Sequence, residues 1–181
     1  MNGKKENKVV LYIAMSLDGY IAREDDSVDW LNDVKGDGGD NGFADFYKTV
    51  GALITGSKTY DVVLTLTDEF PYEGKPCYVT TRTPNKFQPK PHVFFTDEPL
   101  SVLVPRIKAQ SEGDVWLVGG GLLAKDFMNE GLLDEAVIAV IPKILGGGIP
   151  LFPEGGRSAT FELRHMESLG DIARLHYTVL K

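Results

Sequence analysis

Cysteine, histidine and long apolar runs are all scarce in this chain, and each shortage closes off a class of protein. A single cysteine, Cys77, has no intrachain disulfide partner and suits a reducing compartment. The three histidines, His92, His165 and His176, lie too far apart in sequence for the ligand spacing of a zinc site, so no metal centre is expected. The apolar run from Val9 to Met15 is too short for the core of a signal peptide with its cleavage site. No stretch reaches the roughly 20 apolar residues that span a bilayer. Basic residues are in the minority, 19 Lys and Arg against 26 Asp and Glu. The formal net charge of −7 argues against broad binding to nucleic acid or an anionic membrane surface. What remains is 43% hydrophobic and 25% charged residues over 181 positions, the make-up of an ordinary globular protein. That length favours one core and one domain, 1–181, with residues 1–7 as a flexible tail. A cytoplasmic location is the expectation.

The order of segments carries the fold class. "VVLYIAM" (9–15), "ALIT" (52–55) and "DVWLV" (114–118) are nearly unbroken apolar runs, as expected of strands buried on both faces. "CYVTTRT", "HVFFT" and "EAVIAVIP" add further strands. Between them, "FADFYKTV", "GSKTYDVVLTL", "EPLSVLVPRIKAQ" and "GLLAKDFMNE" have helical patterning, with Pro105 expected to bend or restart the third. "TFELRHMESLG" and "ARLHYTVLK" alternate as an antiparallel hairpin does. Strands alternating with helices and closed by a hairpin predict a three-layer α/β/α sandwich with a mostly parallel central sheet. The segment "KGDGGDNG" (35–42) reads as a mobile loop and a lid candidate.

Three strand-to-helix or strand-end junctions concentrate hydrogen-bond donors. In "WLVGGGLLAKDF", Gly119-x-Gly121-x-x-Ala124 satisfies the dinucleotide fingerprint G-x-G-x-x-G/A. The acidic residue that such a fold needs about 20 positions on is missing from "VIAVIPKI", which disfavours a standard Rossmann domain. The local physics survives: glycines admit close approach, and a helix start offers unpaired N–H groups to an anion. "ALITGSKTY" places Gly56, Ser57, Lys58 and Thr59 at a second helix start, without the spacing of an ATP-binding P-loop. "YVTTRT" ends a strand in Thr80, Thr81 and Arg82, a set suited to a further phosphate such as the 2′-phosphate of NADP.

"LYIAMSLDGYIA", "LITGSKTY", "YVTTRTP" and "WLVGGGLLAKDF", in this order, resemble the dihydrofolate reductase-like superfamily. "IPKILGGGIPLF" (141–152) is similar to the branch holding the reductase domain of bacterial riboflavin biosynthesis, among its small stand-alone members. The resemblance implies NADPH as cofactor. By position it assigns the nicotinamide carboxamide to Ala14 and Ile21, and the pyrophosphate to Gly56, Ser57, Lys58 and Thr59. It assigns the 2′-phosphate to Thr80, Thr81 and Arg82. The turn over nicotinamide and pyrophosphate falls to Val118, Gly119, Gly120, Gly121 and Leu122, with a cis bond at Gly119–Gly120. Trp30 and Phe46 are the expected substrate contacts. The catalytic carboxylate that folate reductases carry after the tryptophan has two candidates here, Asp40 and Asp45, each with a capping or solvated role as the alternative. Ala139 and Ala124 stand where folate reductases have a threonine and a tyrosine, which removes polar anchors for a pterin. Asp18 reads first as a turn residue.

The implied activity is an NADPH-dependent reductase passing hydride to a small pyrimidine-, pterin- or ribosylamino-type substrate. It is similar to 5-amino-6-(5-phosphoribosylamino)uracil reductase. The alternatives are a dihydrofolate reductase or a non-catalytic NADP-binding module. Members of that branch commonly pair, so a homodimer is the expected assembly.

Overall fold

The computed structural model describes residues 6–67, 71–72 and 74–181; the start of the expected tail, 1–5, lies outside the described residues. The body begins at Asn7, whose side-chain amide donates to the carbonyls of Lys108 and Ser111 at 3.1 and 2.7 Å. The β-branched run becomes β1 (Val9–Ser16), and a turn at Gly19 leads to the short β2 (Tyr20–Ala22). There follow α1 (Phe43–Thr49), β3 (Val50–Gly56), α2 (Ser57–Leu66), β4 (Cys77–Thr80) and β5 (Val93–Thr96). The chain continues through α3 (Leu100–Gln110), β6 (Asp114–Gly119), α4 (Gly121–Asn129) and β7 (Glu135–Ile141). It ends with the two-residue β8 (Ile149–Pro150) and the hairpin β9 (Thr160–Leu169) and β10 (Ile172–Leu180). Of the two outcomes expected at Pro105, a restart does not occur: the residue lies inside one continuous α3, between the buried Val104 and Ile107. Its missing N–H removes one helical bond, and the buried apolar face retains the rest.

Eight strands form one sheet in the order β5-β4-β3-β6-β1-β7-β10-β9. The first six are parallel and the last two antiparallel, which bears out the predicted sandwich. Alternate residues of the central strands serve opposite layers. Val9 and Leu11 face Leu103, Val104 and Ile107 of α3 and Leu123, Ala124 and Phe127 of α4. On the other side Leu53 and Trp116 pack with Tyr60 of α2 and with Phe43, Phe46 and Tyr47 of α1. Among the described residues no helix is long and apolar enough to cross a membrane.

At the end of the sheet where the strands begin, Asp134 and Glu135 gather the termini. Asp134 accepts the Val9 N–H at 2.8 Å and pairs with Lys108 at 3.1 Å and Lys181 at 2.6 Å. Glu135 pairs with Lys8 and, at 2.9 Å, with His176. Burial pushes both carboxyls up, but these hydrogen bonds and cations outweigh it and hold both below the usual carboxylate range. A carboxyl depressed in the fold stabilises fully above its unfolded pKa near ~4, and loses that contribution as pH falls through the folded value. Asp134→Asn is therefore expected to cost about 1–3 kcal/mol at pH 7. It should also flatten the acid limb of a melting-temperature profile below about pH 4, where wild type falls steeply.

Candidate functional site

Because β5, β4, β3, β6, β1 and β7 are parallel, their carboxyl ends share one rim. The register places Gly56 beside Thr80, Thr80 beside Thr96, and Thr55 beside Gly119. The four segments singled out in the sequence therefore come to a single edge. β1 pairs with β6 only as far as Leu11, whereas with β7 it continues to Ser16. Beyond Leu11 the two strands part, and the Trp116 indole N–H donates to the Tyr12 carbonyl at 3.1 Å in place of a ladder bond. This is also where strand order reverses, the place where open α/β sheets hold ligands.

Two helices start on either side of that opening. α2 begins after Gly56 and α4 after Gly120, and neither has a side-chain cap. Their first N–H groups and partial positive charge are left for an anion. The two starts touch: a Cβ on Gly120 would lie 3.1 Å from the Thr59 hydroxyl oxygen. A Cβ on Gly56 would meet nothing within 4 Å, so the space beside Gly56 at the α2 start is open. The implied cis bond at Gly119–Gly120 is not adopted. No cis peptide bond occurs among the described residues, and the turn closes through φ +138° at Gly119 and +99° at Gly120. Glycine reaches these angles without a Cβ clash, so the reversal needs no isomerised bond.

The remaining rim residues have varied employment. Lys58 is well exposed and lies 3.9 Å from the Asp26 carboxylate. The Thr80 hydroxyl donates to the Thr55 carbonyl at 3.3 Å, and the Thr81 hydroxyl oxygen accepts the Thr83 N–H at 3.2 Å. Arg82 is exposed and makes no ion pair among the described residues. Val118 packs toward the α1–α2 layer, while Leu122 points outward and is 67% exposed. Ile21 joins the core on the α3–α4 side. Above them the β2–β8 ribbon, with Tyr20 opposite Pro150, lies close to the glycine turn. Asp18 fastens this roof by accepting the N–H groups of Leu145 and Gly146 at 3.1 and 2.8 Å. The Ser16 hydroxyl, bonded at 2.6 Å, is the main group holding the Asp18 carboxyl below its usual range. The turn role expected of Asp18 is what the geometry displays.

On the α1 side of the sheet, Ala14 lies beside Ala139, and Ala139 beside Arg174. Trp30 packs over Ala14, Ala139 and Ile141 and is 2% exposed, with its indole N–H unpaired among the described residues. Phe46 stacks on Tyr12 at 4.0 Å and meets Trp116 edge-on at 5.5 Å, so its ring belongs to the packing beneath α1. The two candidate carboxylates are already employed. Asp40 accepts the N–H groups of Gly42 and Ala44 at 3.0 and 2.7 Å, capping α1 from two residues upstream of the cap position. Asp45 is exposed and pairs with Lys48 at 2.8 Å, which holds its carboxyl below the usual range. Ala124 is fully buried in the α3–α4 core, away from the polar rim.

The sequence reading missed Arg174. Its guanidinium bonds Glu167 at 2.6 and 2.9 Å, the Asn41 carbonyl at 2.7 Å and the Tyr12 hydroxyl at 3.5 Å. It thereby ties the glycine-rich loop 35–42 to the hairpin, aided by the Asp171 N–H on the Lys35 carbonyl. In the sequence it is one polar residue of an alternating strand, and no local signal marks it.

Comparison with known proteins agrees with this architecture. A Bacillus subtilis protein of uncharacterised function, YwjB, is 46% identical over 172 residues, 95% of this chain and 98% of that protein. A Shewanella sp. PV-4 structure provisionally assigned to riboflavin biosynthesis is 31% identical, with TM-score 0.83 over 96% of this chain and 99% of that one. Enterococcus faecalis dihydrofolate reductase, solved with NADP(H), shares the fold alone, at 16% identity and TM-score 0.63 over 97% of this chain and 98% of its own. The sequence profile of the RibD C-terminal domain matches residues 7–175, so the chain belongs to that family, whose fold is related to the reductases of riboflavin biosynthesis.

Proposed function

We propose that this chain is an NADPH-dependent reductase that passes hydride to a small pyrimidine-, pterin- or ribosylamino-type substrate. The observation that carries the reading is the meeting of two uncapped helix starts, α2 and α4, with open space beside Gly56. Such a junction suits a pyrophosphate, and the NADP(H) bound by the Enterococcus faecalis reductase of the same fold supports that choice. Gly56, Ser57, Lys58 and Thr59 with Val118 to Leu122 would hold the pyrophosphate. Arg82, helped by Thr80 and Thr81, would hold the 2′-phosphate. Backbone groups of Ala14 and Ile21 would orient the carboxamide. When bound, the nicotinamide supplies the hydride. The chain itself orients the substrate and excludes water, through Trp30 and the loops 16–30 and 35–42. Trp30, buried at 2% exposure with its indole N–H closed to solvent, and Phe46, which holds Tyr12, would shape the wall of the substrate site from beneath. A homodimer belongs to this reading.

With Ala139 in place of an anchoring threonine, and with Asp40 and Asp45 engaged elsewhere, dihydrofolate is the weaker substrate. Asp40→Ala is expected to cost about 1 kcal/mol through loss of its capping bonds, and Asp45→Ala to leave stability unchanged. Turnover that survives both variants would end the catalytic candidacy of these carboxylates. Loss of turnover at unchanged melting temperature would establish it. The direct test of the cofactor is fluorescence titration with NADPH and NADH, followed by a screen of diaminopyrimidine ribosides and dihydrofolate for hydride acceptance. NADPH is expected to bind the more tightly. Absence of binding by either nucleotide would end the reading, and NADPH binding with no acceptor reduced would leave a non-catalytic NADP-binding module.

A further inference from the structure

On the α1 face of the sheet, one row of side chains runs from apolar to charged across four strands. Register aligns Ala14 of β1 with Ala139 of β7, Ala139 with Arg174 of β10, and Arg174 with Glu167 of β9. Residues paired across strands project from the same face, so the row begins in two methyl groups and ends in an ion pair. Tyr12 lies two residues before Ala14 and shares that face. Tyr12, Ala14, Ala139 and Arg174 are all partly exposed. The methyl floor therefore opens toward a polar end. With strands about 5 Å apart, that end begins roughly 10 Å from Ala14. A small two-ring heterocycle, lying against a nicotinamide proposed at Ala14, would bring its far edge there.

The polar end turns donors toward the floor. A guanidinium has five N–H groups, and four of those on Arg174 are engaged. Two go to one Glu167 oxygen at 2.9 and 2.6 Å, one to the Asn41 carbonyl at 2.7 Å, and one toward the Tyr12 hydroxyl oxygen at 3.5 Å. The fifth has no partner among the described residues. Nor has the hydrogen of the Tyr12 hydroxyl, which acts there only as acceptor. Glu167, the one carboxylate of the row, stands on the far side of Arg174, a further strand from the floor. Asp40 and Asp45 are committed to the α1 start and to Lys48. The two donors are also held still. Phe46 stacks on the Tyr12 ring at 4.0 Å. A Cβ on Gly42 would lie 2.6 Å from Nη1 of Arg174, so the bare glycine makes room for the guanidinium. Groups fixed in this way lose little freedom when a ligand arrives.

We infer that Arg174 and Tyr12 are the specificity-determining residues of the substrate site: a donor edge that takes an acceptor oxygen of a heterocycle and turns away an amino group in the same place. The assignment rests on the proposed function and says which substrates that function admits. A donor facing a donor leaves both unpaired once water is excluded, and unpaired groups discriminate strongly between molecules of one shape. Lumazine and pterin make the test, since they share their fused rings and differ in an oxygen on lumazine where pterin carries an amino group. Isothermal titration calorimetry near neutral pH, with and without saturating NADP⁺, measures both. Lumazine is expected to bind at least about tenfold more tightly than pterin. Tyr12→Phe removes the hydroxyl and keeps the stacked ring, whereas Arg174→Lys keeps the charge and loses the fork. Each should bring the two affinities within about threefold, through weaker lumazine binding, and leave NADP⁺ affinity unchanged. Tyr12→Phe is expected to melt like wild type, so it decides the matter even if Arg174→Lys does not fold. Pterin binding as tightly as lumazine, a preference undiminished in Tyr12→Phe, or no binding of either ligand would overturn the donor edge. A lumazine preference that Tyr12→Phe abolishes, in a chain that does not bind NADP⁺, would end the proposed reductase and uphold the edge.

Discussion

Gly121→Ala is expected to lower the melting temperature by about 6–12 °C, whereas Gly56→Ala, the other glycine of the phosphate junction, should leave it unchanged or slightly higher. A Cβ on Gly121 would lie 2.2 Å from the Pro150 carbonyl oxygen and 3.4 Å from that of Leu151. Neither can yield easily: the Leu151 N–H is bonded to the Gly19 carbonyl at 2.9 Å, and the Leu151 side chain is buried. Overpacking against fixed backbone costs about 3 kcal/mol, and in a domain of this size each kcal/mol moves the melting temperature by roughly 2–4 °C. At Gly56 the backbone is extended, φ −82° and ψ 155°, and the Cβ position is open. An added methyl there strains nothing, and by narrowing the unfolded ensemble it can stabilise by about 0.4–1 kcal/mol. It would occupy the open space at the α2 start where the phosphate is proposed to sit, so NADPH affinity should fall at least tenfold in a protein that melts normally. Differential scanning calorimetry and fluorescence titration of the two variants separate these effects. A Gly56→Ala protein binding NADPH like wild type would remove the phosphate from the α2 start.

Arg82→Ala should weaken NADPH by about 10–150-fold and NADH by less than about twofold. Arg82 is exposed just beyond the β4 terminus and has no ion-pair partner among the described residues. A charge-assisted hydrogen bond to a phosphate is worth roughly 1.5–3 kcal/mol, and each 1.4 kcal/mol is tenfold in affinity. Only NADPH carries the 2′-phosphate, so the ratio of the two dissociation constants isolates that contact from any general loosening of the site. Lys58 offers a contrast: its cation is shared with Asp26 at 3.9 Å, and its proposed partner, the pyrophosphate, is common to both nucleotides. Lys58→Ala should therefore weaken NADPH and NADH alike. Equal losses of NADPH and NADH in Arg82→Ala would contradict the assignment of Arg82.

The parts of this site legible in the sequence are those made by neighbours along the chain. Gly56 with Ser57, and the glycine run 119–121, announce strand-to-helix turns because the needed backbone freedom and helix starts are coded within a few residues. The employment of the carboxylates was not legible in the same way. Asp40 could be placed near α1 from spacing, but whether its oxygens capped the helix or faced a substrate depended on the path of the loop 35–42. That path is set by Arg174, more than 130 residues further on. The resemblance to folate reductases likewise implied a cis bond that the glycine turn does without.

Alternating apolar strands and glycine-punctuated helix starts were determined by the sequence by itself, since periodicity and backbone conformation are local properties that side-chain type specifies directly. Strand order and register were decided only in the tertiary structure. They bring Gly56, Thr80 and Gly119 to one rim, set the Thr59 hydroxyl against Gly120, and align Ala14, Ala139 and Arg174 in one row. Each of these depends on which distant backbones pair and in what phase, and pairing energy is spread over the whole sheet rather than written in any one segment.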